Sequence, residues 1–282
     1  MKTISQLILI LHILLLISCD NNKQVFIESS LVSSDTLKYV DIFQSKIFDT
    51  IQFDTLIFPR DDEFIANILY VSTFHEDEVL ENAENKNWFG LFTKNGKYYL
   101  RETKVHVSTV FDPIVDEDST LNKTGKEVSI NSPDTSLLLM GGLNFLKNRN
   151  IIAYSLGKEY IYPGDSIKFN FLGKEYLLFA TGGKIRIDND PNNFYVWNYK
   201  LYLSALKNGI KITDLIVSTP QFDDVLMIEI LFMGDIDGDG FLDFIIDTSA
   251  DYNSTIPTLY LSIPADTNHL LKAVGSHISV GC

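Results

Sequence analysis

Apolar and polar residues alternate with period two along much of this chain. In "SIKFNFL" (166–172) Ile167, Phe169 and Phe171 alternate with Ser166, Lys168 and Asn170. In "YVWNYKLYL" (195–203) Tyr195, Trp197, Tyr199, Leu201 and Leu203 share one face, with Asn198 and Lys200 on the other. Successive side chains of a strand point to opposite faces, so both segments predict half-buried strands. "FTKNGKYYL" (92–100) predicts a hairpin turning at Asn95-Gly96, because both central residues of a tight hairpin turn need positive φ. A second turn is expected at Gly182-Gly183 in "GKEYLLFATGGKIRI". Towards the C-terminus "VLMIEILFM" (225–233), "FLDFIID" (241–247) and "IPTLYLSI" (256–263) predict three further strands. One segment, "EDEVLENAENKNWF" (76–89), reads as a helix with acids in its first turn. The expected fold class is mainly β, with antiparallel sheets in a sandwich or irregular arrangement. The acidic stretch 112–135 is expected to be a long loop or a boundary between two β subdomains, with the loop preferred.

The N-terminus has a different character. Lys2 is followed by an apolar run from Leu7 to Ile17, the length of a secretory signal and short for a bilayer span. "LISC" (Leu16 to Cys19) resembles the bacterial lipobox, which implies cleavage before Cys19 and lipidation of its thiol. The chain then divides into a signal peptide (1–18), a lipidated Cys19 with a polar tether (19–35), and a β-rich body (36–282). The body is one unit, or two subdomains divided within 112–135. Cys282 is the only other cysteine, so a disulfide framework is not expected. With 23 basic and 37 acidic residues the formal net charge is −14, which disfavours nucleic acid and suits an exported or cation-binding protein.

That acidity is concentrated in "GDIDGDGFLDF" (234–244). Counting Asp235 as position 1, Asp237 is position 3, Asp239 position 5, Gly240 position 6, Phe241 position 7 and Asp243 position 9. This is the front of a calcium loop: alternate carboxylates reach one ion, the glycine permits a sharp turn and position 7 offers its carbonyl. Four carboxylates so close repel unless a dication neutralises them. An all-oxygen set favours Ca2+ over zinc or copper, and Mg2+ keeps more of its own water. Position 12 is Ile246, where an EF-hand needs glutamate, and the flanks read as strands. The pattern Asp-x-Asp-x-Asp-Gly-x-x-Asp resembles the loop of FG-GAP repeats, found in integrin-α-type propellers. The resemblance implies side-chain ligands at Asp235, Asp237, Asp239 and Asp243, a carbonyl ligand at Phe241, and a calcium-binding β-loop-β hairpin. A propeller repeats such loops and this chain has one, so a full propeller is not expected. The exported chain also resembles Bacteroidetes-type lipoproteins, which implies a cell-envelope location, with the anchor in the outer membrane.

No catalytic spacing stands out. His106 and His277 alternate with apolar residues and are expected on solvent faces of strands. His75 lacks the two-histidine spacing of a zinc protease, and His269 lies in a polar turn. "ATGGK" lacks the first glycine and the Ser or Thr of a phosphate loop. The acid pairs Asp61-Asp62 and Asp223-Asp224 read as solvated loop charge. The expected function is therefore a lipid-anchored, non-catalytic binding or structural module with one structural calcium, meeting a protein or glycan partner. A polysaccharide or peptide hydrolase and an inhibitor or immunity lipoprotein are the alternatives.

Overall fold

The computed structural model describes residues 51–117, 121–158, 160–187, 190, 193–223 and 226–281. The signal segment, Cys19, the tether, Asp224 and Cys282 lie outside the described residues. The protein is mainly β, with 52% strand and 4% helix, and its sheets form neither a closed barrel nor a propeller among the described residues. None of the described helices is long and apolar enough to cross a membrane.

Four sheets carry the fold, and every pairing in them is antiparallel. The first has the order Asn67–Leu69, Thr135–Gly141, Trp88–Lys94, Lys97–Thr103 and Arg149–Ile151. The second joins the long strands Ile210–Gln221, Phe194–Lys207 and Lys174–Arg186 to Ser166–Phe171. The third runs Glu229–Gly234, Asp243–Asp247, Pro257–Leu261 and Lys272–Ser276. The fourth consists of Ser72–Phe74, Gly125–Ile130 and Val105–Val110. A short pair, Ser254–Thr255 with Ser279–Val280, completes the set.

The cores show how these sheets stack. Leu178, Tyr199 and Leu201 of the second sheet share a core with Phe244, Ile246 and Tyr260 of the third. The opposite face of the third sheet, through Ile245, Leu259 and Leu261, meets Leu91, Leu100, Leu138 and Met140 of the first. Leu69, Trp88 and Leu139 leave the other face of the first sheet to pack on Phe74, Val105 and Val128 of the fourth. The inner sheets are thus covered on both faces. This is why "LLLM", "FIID" and "TLYL" are continuous apolar runs, while the outer "SIKFNFL" alternates.

Four expectations need correction. The stretch 76–89 is not a helix: Glu76–Glu78 and Ala83–Asn85 are single 3-10 turns and the first-sheet strand begins at Trp88. Asn82 between them has φ 58°, which breaks the helical path, and Trp88 is drawn into the core with its Nε1 donating to Ala83 O at 2.7 Å. Gly182-Gly183 is not a turn but a bulge inside Lys174–Arg186. The stretch 112–135, read mainly as loop, contains the strand Gly125–Ile130. His277 is not on a solvent face: it is 8% exposed, donates from Nε2 to Glu78 O at 2.8 Å, and sits edge-on to Tyr70 and Phe74. Burial holds its pKa below the usual histidine value.

The bulge has a steric reason. Gly182 has φ 138°, and a methyl group on Gly183 would lie 2.1 Å from the Trp197 ring on the neighbouring strand. Gly183→Ala is expected to lower stability by about 1–3 kcal/mol through this overpacking. Urea unfolding checks it, and an unchanged midpoint would show that the indole yields freely.

Candidate metal centre

The acidic loop joins Gly234 to Asp243, which face each other at the end of the third-sheet hairpin. Its two aliphatic residues anchor it to opposite cores. Ile236 is fully buried in the core shared with the first sheet, and Leu242 enters the core shared with the second. Gly238 and Gly240 take φ 95° and 80°, the left-handed conformations that coil the loop.

That coil gathers Asp235, Asp237 and Asp239. Each offers one carboxylate oxygen, and the three atoms lie within 4.8 Å of one another. Calcium–oxygen bonds of about 2.3–2.6 Å put oxygens on opposite sides of one ion about 5 Å apart, so the spacing fits calcium. Hydrogen bonds aim the carboxylates. Asp235 Oδ1 accepts Gly238 N–H at 2.7 Å, and Asp239 Oδ1 accepts Phe241 N–H at 2.8 Å. Asp237 Oδ2 accepts Ile263 N–H at 2.7 Å, and the Ser262 hydroxyl donates to Asp239 Oδ1 at 2.9 Å.

Asp243 occupies a different place. It is fully buried, and its two oxygens accept Ile236 N–H at 2.7 Å, Asp237 N–H at 3.1 Å and Ser262 N–H at 2.8 Å. It is not one of the three clustered carboxylates and holds the loop together from behind. Burial, with the Asp237 charge adding to it, pushes its carboxyl well above the ordinary range. Burial likewise raises Asp237, to about 6. Phe241 has its ring 4.3 Å below Lys174 Nζ, which donates to Gly240 O at 2.7 Å. Asp247, expected on the strand or its end, is the last residue of Asp243–Asp247.

Several contributors to this centre carry no local sequence signal. Arg149 approaches from the edge of the first sheet, its Nη2 3.4 Å from Asp235 Oδ2. A methyl on Gly238 would lie 1.1 Å from Arg149 Nη1, so the guanidinium rests directly over that glycine. Tyr176, on the second sheet, accepts Leu242 N–H at 3.2 Å, and burial pushes its phenol up to about 12. Ser262 and Ile263 lie at the far end of a predicted strand, where only the fold brings them against the loop.

The other candidates for chemistry are dispersed. His75 Nδ1 and Asp112 Oδ2 are 2.5 Å apart, and Asp112 is 3% exposed. The hydrogen bond to Asp112 raises His75 and lowers Asp112, and this contact ties the 3-10 turn to the loop after Val105–Val110. The other ring nitrogen of His75 has no hydrogen-bond partner among the described residues. His269 Nδ1 lies 3.0 Å from Asp214, and His106 is exposed as expected. Asp61, Asp62 and Asp223 are exposed. No family model, curated protein or solved structure matches the chain.

Asp237 generates a pH prediction. Its folded pKa, about 6, lies above the ordinary 3.8, so in chelator its contribution to stability is fully present below about pH 4 and is lost as pH rises through 6. Relative to Asp237→Asn, the wild type is expected to lose stability between these pH values. Parallel melts with chelator across that range check it, and a constant difference would contradict it.

Proposed function

We propose that this chain is a lipid-anchored cell-envelope protein, a non-catalytic binding or structural module whose β-rich body is held by one calcium ion. The observation that carries the calcium reading is the convergence of Asp235, Asp237 and Asp239 within 4.8 Å on a loop whose carboxylates are oriented by backbone amides. Asp235, Asp237 and Asp239 hold the ion with the Phe241 carbonyl, and Asp243 fixes the loop's shape by accepting three backbone N–H groups. Among the described residues Arg149 alone forms an ion pair with this set, and Lys174 reaches the loop at the Gly240 carbonyl, so the carboxylates outnumber the cations there. A divalent ion offsets that imbalance, and its role is to lock the hairpin to both cores.

The anchor reading is supported by "LISC" and the apolar run before it, which resemble a lipobox and its signal with Cys19 as the lipidated residue; the outer-membrane location follows from the resemblance to Bacteroidetes-type lipoproteins. The binding reading is consistent with the placement of the polar clusters: the His75–Asp112 contact joins the 3-10 turn to the loop after Val105–Val110.

Thermal melts of the full chain in mild detergent, with calcium, magnesium or chelator, test the metal. At a hundred times the dissociation constant, calcium is expected to stabilise by about 2.7 kcal/mol. That corresponds to several degrees, at roughly 2–4 °C per kcal/mol. Asp237→Ala is expected to abolish the rise. Equal shifts with magnesium, or no shift, would overturn the calcium reading. Asp243→Ala is expected to cost more than about 3 kcal/mol even in chelator, because three buried N–H groups lose their acceptor. Stability unchanged in that variant would show that other acceptors replace it.

A further inference from the structure

We propose that a cavity between the first and third sheets binds an anionic oligosaccharide; this rests on the binding-module reading above and assigns it a ligand class and a site. The cavity measures about 950 Å3, at the upper end of the roughly 300–1,000 Å3 typical of ligand sites. It opens between the Asn95-Gly96 hairpin, the segment after the edge strand Arg149–Ile151, and residues 230–233 of the third sheet's edge strand.

Its charge runs against that of the chain. In a protein of net charge −14, the cavity is lined by Lys94, Lys97 and Lys158 and, among the described residues, by no carboxylate. Lys94 and Lys97 are direct cross-strand partners beside the turn, and like charges placed opposite each other are destabilising. Asp134 balances Lys94 at 2.9 Å and Asp165 balances Lys158 at 2.5 Å, both from outside the lining. Lys97 is exposed and has no acidic partner among the described residues. Folding gains nothing from that arrangement, but an anion does.

The neutral part of the lining selects the kind of anion. Tyr98 and Tyr154 are half-buried and each is held by another ring: Tyr98 edge-on to Phe232 at 5.1 Å, Tyr154 stacked on Phe169 at 4.9 Å. Their hydroxyls and the Asn150 amide have no hydrogen-bond partner among the described residues, although all three line the cavity. Fixed aromatic rings offer apolar contact to the C–H surface of a sugar ring, and the free hydroxyls and amide match its hydroxyl groups. Lys97, the cavity lysine left without an acidic partner among the described residues, matches a carboxylate or sulfate on the same sugar. A neutral glycan leaves Lys97 unused, and an acidic peptide has no need of held rings.

The test is calorimetric titration of the full chain in mild detergent with a chondroitin sulfate hexasaccharide, with neutral maltohexaose and with hexaglutamate. The sulfated hexasaccharide is expected to bind one to one and more tightly than either control. Lys97→Glu is expected to weaken it about fivefold or more, with the melting temperature unchanged or slightly raised, because the side chain is exposed and the like-charge pair with Lys94 is removed. Tyr154→Ala is expected to weaken it further; if that variant fails to fold, Lys97→Glu decides alone. Hexasaccharide binding that is unchanged in Lys97→Glu would overturn this site while leaving glycan binding in place. Lys97-dependent binding of hexaglutamate alone would overturn the saccharide assignment. If none of the three ligands binds, the proposal fails. Cross-linking in envelopes then separates the two readings: capture of a partner leaves the binding-module reading standing, and no capture removes it too.

Discussion

The carboxylate of Asp243 sits fully buried at the junction of two cores, accepting three backbone N–H groups. Those donors come from two separate places, the start of the acidic loop and the end of the strand Pro257–Leu261. One side chain therefore ties the loop to the neighbouring strand end. Burying a charge is costly unless its lone pairs are filled, and here backbone dipoles fill them. The opposing tendency is visible in the raised pKa of Asp243, driven by burial and by Asp237. With Asp235 and Asp239 nearby, the loop accumulates more negative charge than Arg149 alone offsets. The same hydrogen bonds that shape the loop also gather the carboxylates on which the proposed calcium site rests.

The layered packing explains why this small loop matters to the whole body. The third sheet is covered on both faces, by the first sheet on one side and the second on the other. Ile236 and Leu242, at the two ends of the acidic loop, enter these two cores separately. Arg149 reaches the loop from the first sheet, and Lys174 and Tyr176 reach it from the second. Any ion that fixes the loop also fixes the relation between three sheets.

Much of the strand content was legible because its cause is local. The strand at 166–172 and the Asn95-Gly96 turn appear where expected, as Ser166–Phe171 and the hairpin between Trp88–Lys94 and Lys97–Thr103. The strand over 195–203 is also present, within Phe194–Lys207, but its expected single face is not: Asn198 takes φ 50° opposite the bulge, so Val196, not Tyr195 or Trp197, is buried with Tyr199, Leu201 and Leu203. The failures share one origin. His277 alternates like a surface residue, yet Glu78 and the Tyr70–Phe74 rings, distant in sequence, close over it. Gly182-Gly183 resembles a turn, but the indole of Trp197 requires the missing side chain inside a continuous strand. At 76–89 local acids suggest a helix, and long-range pairing of Trp88 prevails. The convergence of Asp235, Asp237 and Asp239 likewise follows from their spacing, whereas the inward place of Asp243 and the approach of Arg149, Tyr176 and Ser262 do not, because only the fold sets them.

Direct calcium binding measures the central claim without reference to stability. Equilibrium dialysis of the full chain at neutral pH, with free calcium raised to about 1 mM, spans the range from tight sites to weak extracellular ones. If Asp235, Asp237 and Asp239 hold one ion, the protein binds a single calcium, and Asp239→Ala removes it while leaving the Asp243 hydrogen bonds and the fold intact. A chain that takes up no calcium over that range, or the same amount in Asp239→Ala, would contradict it.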